Sequence, residues 1–527
     1  MSQASTISTI TSFSENMFLV EVTDMSSSPL SIPECLSRIF EFLWNDKNSL
    51  HNCLLVCRSW CRVAIPLLWR EPFILLKEKP NEYLLRTYIS CFEDQIQWSF
   101  VQNWMLFPTT ITSPSHSTLF DYPSFLRQLD LRSMFSLINA WFVKTASNEV
   151  QRRFRESEIC IILIANKLLE LLLSRCPALD TLILWSGTPD YITLTQAMPG
   201  NNTCISRLST LQIEGNYHDL DLCTLSQQCF HLKKLLVDVE VTYYGMNMLI
   251  NLIQVQHNLE HFRLGFRPEN NGFTNHVTPR LLTSLASQTK TLHTVEFNRC
   301  NFLECDDLKE LAKCENIRHL ILWKCVGIGP DKMRTLQNTN FSKLKRLEIY
   351  VHPGISADMV IKIIRESNNQ LQSLRLAGIT PQSDLLKVLA VMTIHCQHLT
   401  DCRLVLKDGD NNAFNALLSF LNVSNKLEIL YITFTDRAYP ICKYEEMAKH
   451  LPTGLHELVF RDFLFTPQSL EAFLENMNTS FQSLSFSKRY FSPAHIDAII
   501  RYVKKNSNLF RLMKHSRYMS IKSRSAP

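Results

Sequence analysis

The sequence predicts an α/β fold: a solenoid of repeated strand-plus-helix units preceded by a small all-α module. Three observations carry this. A hexad of apolar residues, L-x-x-L-x-L, recurs in register over most of the chain. Several of the segments between hexads contain a hydroxyl residue followed by proline, and four of these dipeptides read as helix starts. A stretch ahead of the repeats has the apolar spacing of short amphipathic helices.

Composition narrows the function classes first. The chain has 527 residues, of which 46% are hydrophobic, enough for a sizeable core. Only 12 residues are glycine, about 2% against a usual share near 7%. Phosphate-cradling loops and dinucleotide folds use glycine where backbone approaches a ligand closely, so a nucleotide enzyme is disfavoured. The net charge of +5 is local, because eight basic and no acidic residues lie from Arg501 onward. A nucleic-acid protein should carry a basic face over its folded body, and none is evident, so no nucleic-acid partner is expected. Seventeen cysteines are scattered without a C-x-x-C pair, as expected of core thiols in a reducing compartment. The first 37 residues hold no Lys or Arg, which speaks against a secretory or transit leader. The longest apolar run, Ile159–Ala165, is seven residues, and a membrane span needs ~20. No membrane partner is expected, and the location read from this is cytoplasmic or nuclear.

Residues 1–30 read as a disordered Ser/Thr-rich tail, with eight Ser or Thr among the thirteen residues Ser2–Ser14. A helical module follows at 31–73. Ser31 and Glu34 have capping-box spacing, and Pro33 sits where a first helical turn tolerates it. Leu36, Ile39, Phe40 and Leu43 then form one stripe at i, i+3, i+4, i+7. After a polar break at Asn45–Asn48, one helix is expected to carry Leu50, Cys53, Leu54, Val56, Cys57, Trp60 and Cys61, with more than one buried face. Residues 74–124 read as a connector with a Pro/Ser/Thr-rich loop from Pro108 to Ser124.

The repeats occupy 125–515. Hexads begin at Leu126, Leu179, Leu208, Leu232, Leu259, Leu292, Ile317, Leu344, Leu371, Leu399, Leu427, Leu455 and Phe481, and Leu509–Leu512 looks like a degenerate last turn. From Leu179 to Leu509 the twelve spacings average 27.5 residues. Leucine-rich repeats have periods of 20–29 residues, one strand and one return segment each. The 53-residue gap from Leu126 to Leu179 is read as a unit with a degenerate hexad or an insertion near Asn148–Glu158. Thr278-Pro279, Thr380-Pro381, Thr466-Pro467 and Ser492-Pro493 read as helix starts, a hydroxyl cap followed by proline at the first helical position. Helices are wider than strands and take the outer arc, so the fold expected is a leucine-rich-repeat horseshoe with strands on the concave side. Residues 516–527 read as a basic tail.

The segment 31–73 resembles an F-box, the adaptor-binding module of SCF-type ubiquitin ligases. The residues that carry the resemblance are Ile32-Pro33-Glu34, Leu36, Ile39-Phe40, Leu43, Leu50, Val56-Cys57-Arg58-x-Trp60 and Leu68-Trp69. It implies adaptor contacts from Ile32, Pro33, Leu36, Ile39, Phe40, Leu43, Leu50, Val56, Cys57 and Trp60. Ile32 stands where leucine is commoner, and the loop between Leu43 and Leu50 is about two residues longer than the family pattern. Read without the resemblance, the same segment is an amphipathic helical hairpin capping the solenoid's open end. Together with the repeats, the chain resembles an F-box/leucine-rich-repeat protein. Such a protein is a non-catalytic substrate receptor, partnered by the adaptor and through it by cullin.

Other constellations dissolve on inspection. Cys53, Cys57 and Cys61 lack the second ligand pair that zinc requires. Asp408–Asn412 lacks the glycine and glutamate of a calcium loop. Gly327-Ile328-Gly329-Pro330 is a turn and not a dinucleotide fingerprint. No catalytic site and no cofactor are expected. In each hexad the third, fifth and seventh positions alternate away from the leucines onto the open sheet face. They include Trp185, Arg263, Trp323, Arg346, Tyr350, Arg375, Arg403 and Tyr431, residue types enriched at interface hot spots. These are the expected target-binding residues, centred on Trp323–Arg403 and suited to an acidic or phosphorylated partner. Glu348 and Asp401 are placed to pair with Arg375 and Arg403 internally. Three roles remain open on sequence: a ligase substrate receptor, an F-box protein acting outside the ligase, and a repeat scaffold or inhibitor without a ubiquitin role.

Overall fold

In the computed structural model the described residues are 32–73, 82–92, 118–145, 154–185, 194–197, 203–215, 219–238, 243–266, 276–379, 384–406, 411–434, 444–461, 465–477, 481–487, 491–507, 510–514 and 518–523. The expected tail at 1–30, most of the 108–124 loop, Thr380-Pro381 and Asp408–Asp410 lie outside them. The chain forms two compact units, residues 1–259 and 260–527.

The first unit opens with three short helices: α1 (Pro33–Phe42), α2 (Lys47–Leu54) and α3 (Arg58–Leu68). The N-cap of α1 is Ile32, with Pro33 at the first position; Ser31, one half of the expected capping pair, lies outside the described residues. Asp46 caps α2, accepting from the Ser49 N–H at 3.1 Å and the Ser49 hydroxyl at 2.6 Å. The single helix expected from Leu50 to Cys61 is in fact two. The Leu55 and Val56 N–H groups bond back three residues, to Asn52 and Cys53, which tightens and ends α2. Cys57 is extended and caps α3. The apolar set was too wide for one seam because it belongs to two differently oriented helices.

Past the module, helix α4 (Glu82–Ile89) inserts Tyr88, fully buried, edge-on against Trp69 and face-on against Phe73. The Arg70 carbonyl accepts from the Arg127 and Gln128 N–H groups at 2.9 and 3.1 Å, so the end of the helical module leads directly into the first strand. Strands β1 (Gln128–Asp130), β2 (Thr181–Trp185), β3 (Thr210–Glu214) and β4 (Lys234–Asp238) run parallel. Gln128 pairs with Thr181, so the 53-residue gap is one enlarged unit, with no strand among its described residues. Its return segment is α5 (Leu131–Thr145) and α6 (Phe154–Arg175). Asp130, buried at the end of β1, accepts from the N–H groups of Arg132 and Ser133 and starts α5.

The second unit carries one parallel strand per hexad: β5 (His261–Gly265), β6 (Thr294–Asn298), β7 (His319–Ile328), β8 (Arg346–Ile355), β9 (Ser373–Ile379), β10 (Asp401–Leu406), β11 (Ile429–Phe434), β12 (Glu457–Arg461) and β13 (Ser483–Ser487). Hexad residues such as Leu320, Leu347, Leu374 and Leu430 are essentially inaccessible. Truncating any one of them to alanine is worth about 2–5 kcal/mol. Three of the hydroxyl–proline starts are real helix starts, at α7 (Pro279–Ala286), α8 (Pro467–Asn476) and α9 (Pro493–Lys505). Thr278 and Thr466 accept from the N–H three residues on, and Ser492 makes its reciprocal bond with His495. Gly327 has φ +75°, and a Cβ there would stand 2.7 Å from the Leu303 nitrogen, so the turn needs glycine for conformation and for space.

The C-terminal end departs from the sequence reading. Residues expected to be a last turn and a basic tail form two strands, β14 (Phe510–Lys514) and β15 (Tyr518–Ser523). β15 lies antiparallel to β13, with β14 outside it. Met519 and Ile521 are buried opposite Phe486 and Leu484, while Ser520 and Lys522 alternate with them. The period-two pattern was masked by the surrounding positive charge. It closes the sheet edge that β13 would otherwise expose.

Candidate protein-interaction surfaces

The helical module separates its apolar residues into a core and an exposed set. Leu36, Phe40 and Leu50 are at most 1% exposed. These three, expected as adaptor contacts, lie in the core that holds the helices together. Trp60, half-buried, packs edge-on against Phe40 with ring centroids 5.2 Å apart, and Leu43 is also half-buried. Ile32 is 46% exposed, Ile39 44%, Val56 56% and Leu55 52%. Phe42, which the sequence reading did not single out, is 90% exposed. Cys35, Ile39 and Phe42 follow at i, i+4 and i+7, on a stripe about a third of a turn away from buried Leu36 and Phe40. Pro33 is exposed beside Ile32. Cys57 is half-buried at the start of α3, with its thiol 3.0 Å from the Ser59 hydroxyl. Burial works against ionisation of that thiol, yet the hydrogen bonds from Ser59 and the Trp60 N–H bring its pKa below the ordinary value.

The second surface is the sheet face turned away from the hexad leucines. Parallel pairing stacks equivalent positions into lanes across the second unit. The middle lane reads Arg263, Glu296, Ile321, Glu348, Arg375, Arg403, Tyr431, Val459 and Ser485. Of the expected target-binding residues, Trp323, Arg346, Tyr350, Arg375, Arg403 and Tyr431 come together on β7–β11. Arg263 stands apart on β5, where its Nε lies 3.8 Å from Glu296. Trp185 belongs to the first unit and packs under the Arg132 guanidinium.

The cluster is internally paired. Glu348, 3% exposed, accepts from Arg346 Nε at 2.8 Å and from Arg375 at 3.0 Å. Arg403 Nε bonds Asp401 at 3.2 Å. The Arg375 guanidinium lies 4.7 Å from the Trp323 ring centroid, and that of Arg403 lies 4.1 Å from Tyr431. Trp323 meets Tyr350 edge-on at 5.4 Å. Burial lowers the Arg375 pKa and neighbouring Glu348 opposes this. Tyr431 donates to Glu457 at 2.7 Å, and burial together with that carboxylate pushes its pKa up to about 12. Registered stacking of two arginines is tolerated because each has its own carboxylate and its own aromatic face.

A trough of about 520 Å³ runs along this face from Trp323 past Arg375, Arg403 and Tyr431 to the C-terminal strands. Its further walls are Glu457, Val459, Arg461, Ser483, Ser485, Ser520 and Lys522, which the sequence reading did not name. The first five occupy the same third, fifth and seventh hexad positions after Leu455 and Phe481, so the positional rule contained them. Ser520 and Lys522 had no such signal, because β15 enters antiparallel and outside the repeat. Among the described residues, no group of three or more His, Cys, Asp or Glu is arranged to hold a metal ion.

Comparison with known proteins addresses the helical module first. Residues 33–75 match the F-box-like family. The module is an F-box-like domain. Joined to the repeats, it gives the chain the architecture of an F-box/leucine-rich-repeat protein and makes it a protein-interaction adaptor. No curated protein matches the sequence. Among solved structures, an internalin from Listeria monocytogenes is similar at 13% identity and TM-score 0.32, over 59% of this chain and 87% of that one. The leucine-rich-repeat protein LegL7 from Legionella pneumophila is similar at 11% identity and TM-score 0.26, over 64% and 94%. Assignment of the repeat fold rests on the chain's own hexads and parallel strands. Among the described residues, no helix of the F-box/leucine-rich-repeat chain is long and apolar enough to cross a membrane.

Proposed function

We propose that the chain is the substrate-receptor subunit of an SCF-type ubiquitin ligase. The F-box-like domain docks on the adaptor, and the open sheet face of the second unit holds the target. The observation that carries this reading is that the module matching an F-box leaves Ile39, Phe42, Leu55 and Val56 exposed while its core is complete without them. A hairpin that served only as an end cap would have no use for a 90% exposed phenylalanine. The cap role is also present, through the Arg70 carbonyl and the N–H groups of Arg127 and Gln128, and it uses none of the exposed apolar residues. In this reading Ile32, Pro33, Ile39, Phe42, Leu55 and Val56 make the adaptor contacts, and Trp323, Arg403 and Tyr431 belong to the target surface. The chain's contribution is positional: holding the target near the charged enzyme makes an intermolecular transfer effectively intramolecular. The test is co-purification of the full chain with adaptor and cullin. Adaptor without cullin would indicate work outside the ligase, and neither would sink the proposal.

A further inference from the structure

Closing the edge of β13 opens another. β14 pairs with β15 on one side, and among the described residues no strand lies beyond it. Alternate residues of an antiparallel strand turn their N–H and C=O groups to one neighbour, and the rest turn theirs the other way. β14 therefore presents a row of backbone donors and acceptors that only water or a further strand satisfies.

Both faces of the hairpin stop short at this edge. On the core face the register runs Leu484, Ile521, Leu512 across β13, β15 and β14. Leu484 and Ile521 are 1% and 2% exposed, but Leu512 is half-exposed, so the apolar row ends unfinished. On the other face, exposed Arg511 stands directly opposite half-exposed Lys522. Like charges so placed repel, and among the described residues neither is engaged by a carboxylate. The chain offers none nearby, since it has eight basic residues and no acidic one from Arg501 onward.

A strand that completes this edge must alternate apolar and acidic residues, one parity continuing the row at Leu512 and the other answering Arg511. A second β14 fails that requirement, because it brings Arg511 of one copy against the basic strand of the other. The chain carries a matching run in its N-terminal segment, outside the described residues. Residues 18–24 read Phe-Leu-Val-Glu-Val-Thr-Asp, with Phe18, Val20 and Val22 on one parity and Leu19, Glu21 and Thr23 on the other. Aromatic and β-branched types dominate it, as suits a strand. No Lys or Arg occurs in the first 37 residues.

We infer that residues 18–24 of a second copy of this chain add to β14 as a further strand, with Glu21 beside Arg511 and the parity of Val20 and Val22 continuing the row from Leu512. Charge and pattern together choose the occupant: a segment with acid and no base meets an edge with base and no acid. The contact is heterologous, the N-terminal segment of one copy on the C-terminal edge of another. It uses neither the exposed apolar residues of the F-box-like domain nor the middle lane of the sheet, and it does not rest on the ligase reading.

Sedimentation velocity of the full-length chain over a wide dilution series tests the inference. Association is expected at the concentrated end, giving way to monomer on dilution. Val22→Pro removes a strand N–H, and Arg511→Glu sets like charges side by side. Each is expected to weaken association by about tenfold or more. Arg511 is exposed and residue 22 precedes the helical module, so both variants should melt with the parent. Combining Glu21→Arg with Arg511→Glu in one chain restores the opposite charges and should recover the association. Mixing the Val22→Pro chain with the Arg511→Glu chain should also recover it in part, because the first keeps an intact edge and the second an intact segment. A chain that is monomeric throughout overturns the inference, whether β14 is bare or served by its own segment. Association that ignores both single substitutions belongs to another interface and overturns it as well. So does a charge exchange that stays as weak as Arg511→Glu alone.

Discussion

Phe40 and Phe42 lie two residues apart on one helix and differ almost completely in exposure, 1% against 90%. That contrast turns the adaptor proposal into a quantitative experiment. A phenylalanine side chain buries on the order of 200 Å², so nearly all of that area at Phe42 is available to a partner. At ~25 cal/mol per Å², full burial is worth at most ~4.5 kcal/mol. Truncation to alanine forfeits about two-thirds, ~3 kcal/mol, or roughly 150-fold in affinity. Phe42→Ala should leave the thermal melt of the chain unchanged, because the ring contributes nothing to the core. Phe40→Ala removes a buried ring that also supports Trp60, and costs the module about 3–5 kcal/mol of stability. It should lose adaptor binding together with folding. Isothermal titration of purified adaptor into each variant, paired with circular-dichroism melts, separates the two mechanisms. If Phe42→Ala binds within threefold of the parent while folded, the exposed stripe is not the docking face and the argument from exposure fails.

Three further outcomes follow from the repeat unit and its cap. Glu348→Ala strands two guanidiniums around a buried site; breaking a buried pair costs about 3–5 kcal/mol, reduced here to ~2–3 because both arginines keep some solvent. Adding Arg375→Met should restore part of that loss in urea denaturation, and a single-variant cost below ~0.5 kcal/mol would show that the network does not hold the sheet. Burial, with help from Arg346, lowers the His319 pKa, so the unfolded chain takes up its proton first. The stability tied to neutral His319 is complete above the unfolded value near 6.5 and declines as pH falls below it. His319→Gln should therefore flatten the fall in melting temperature between pH 7 and pH 5, and an unchanged slope would refute this. Ile521→Ala, at a 2% exposed position, should cost about 2–5 kcal/mol and speed amide exchange in β13; a neutral result would mean that β15 does not seal the sheet.

The repeat lattice was legible in the amino-acid sequence because burial has a strict local period. A strand with one covered face must alternate, so Leu320, Leu322, Leu347 and Ile349 announce both their strands and their own burial. The same alternation placed Trp323, Arg375 and Arg403 on the open face, and parallel register put the two arginines side by side. Helix starts such as Thr466-Pro467 are equally local, since a hydroxyl cap and a missing N–H act within one turn.

What the tertiary structure decided is everything that depends on contacts distant in sequence. Phe40 and Phe42 are both apolar, and only the packing of α3 against α1 makes one a core residue and the other a surface. The break at Leu55–Cys57 arises from hydrogen bonds that end α2, which apolar spacing alone cannot distinguish from a wider helix. Glu348 satisfies Arg346 on its own strand and Arg375 on the next, and this choice removed both arginines from the supply of free cations. The last segment carries the same basic charge that had marked it as a tail. Its alternation of Met519 and Ile521 with Ser520 and Lys522 gains meaning only when β13 offers an unpaired edge. Period and propensity are properties of neighbouring residues; exposure, pairing and edge closure belong to surfaces that exist only once distant parts of the chain have met.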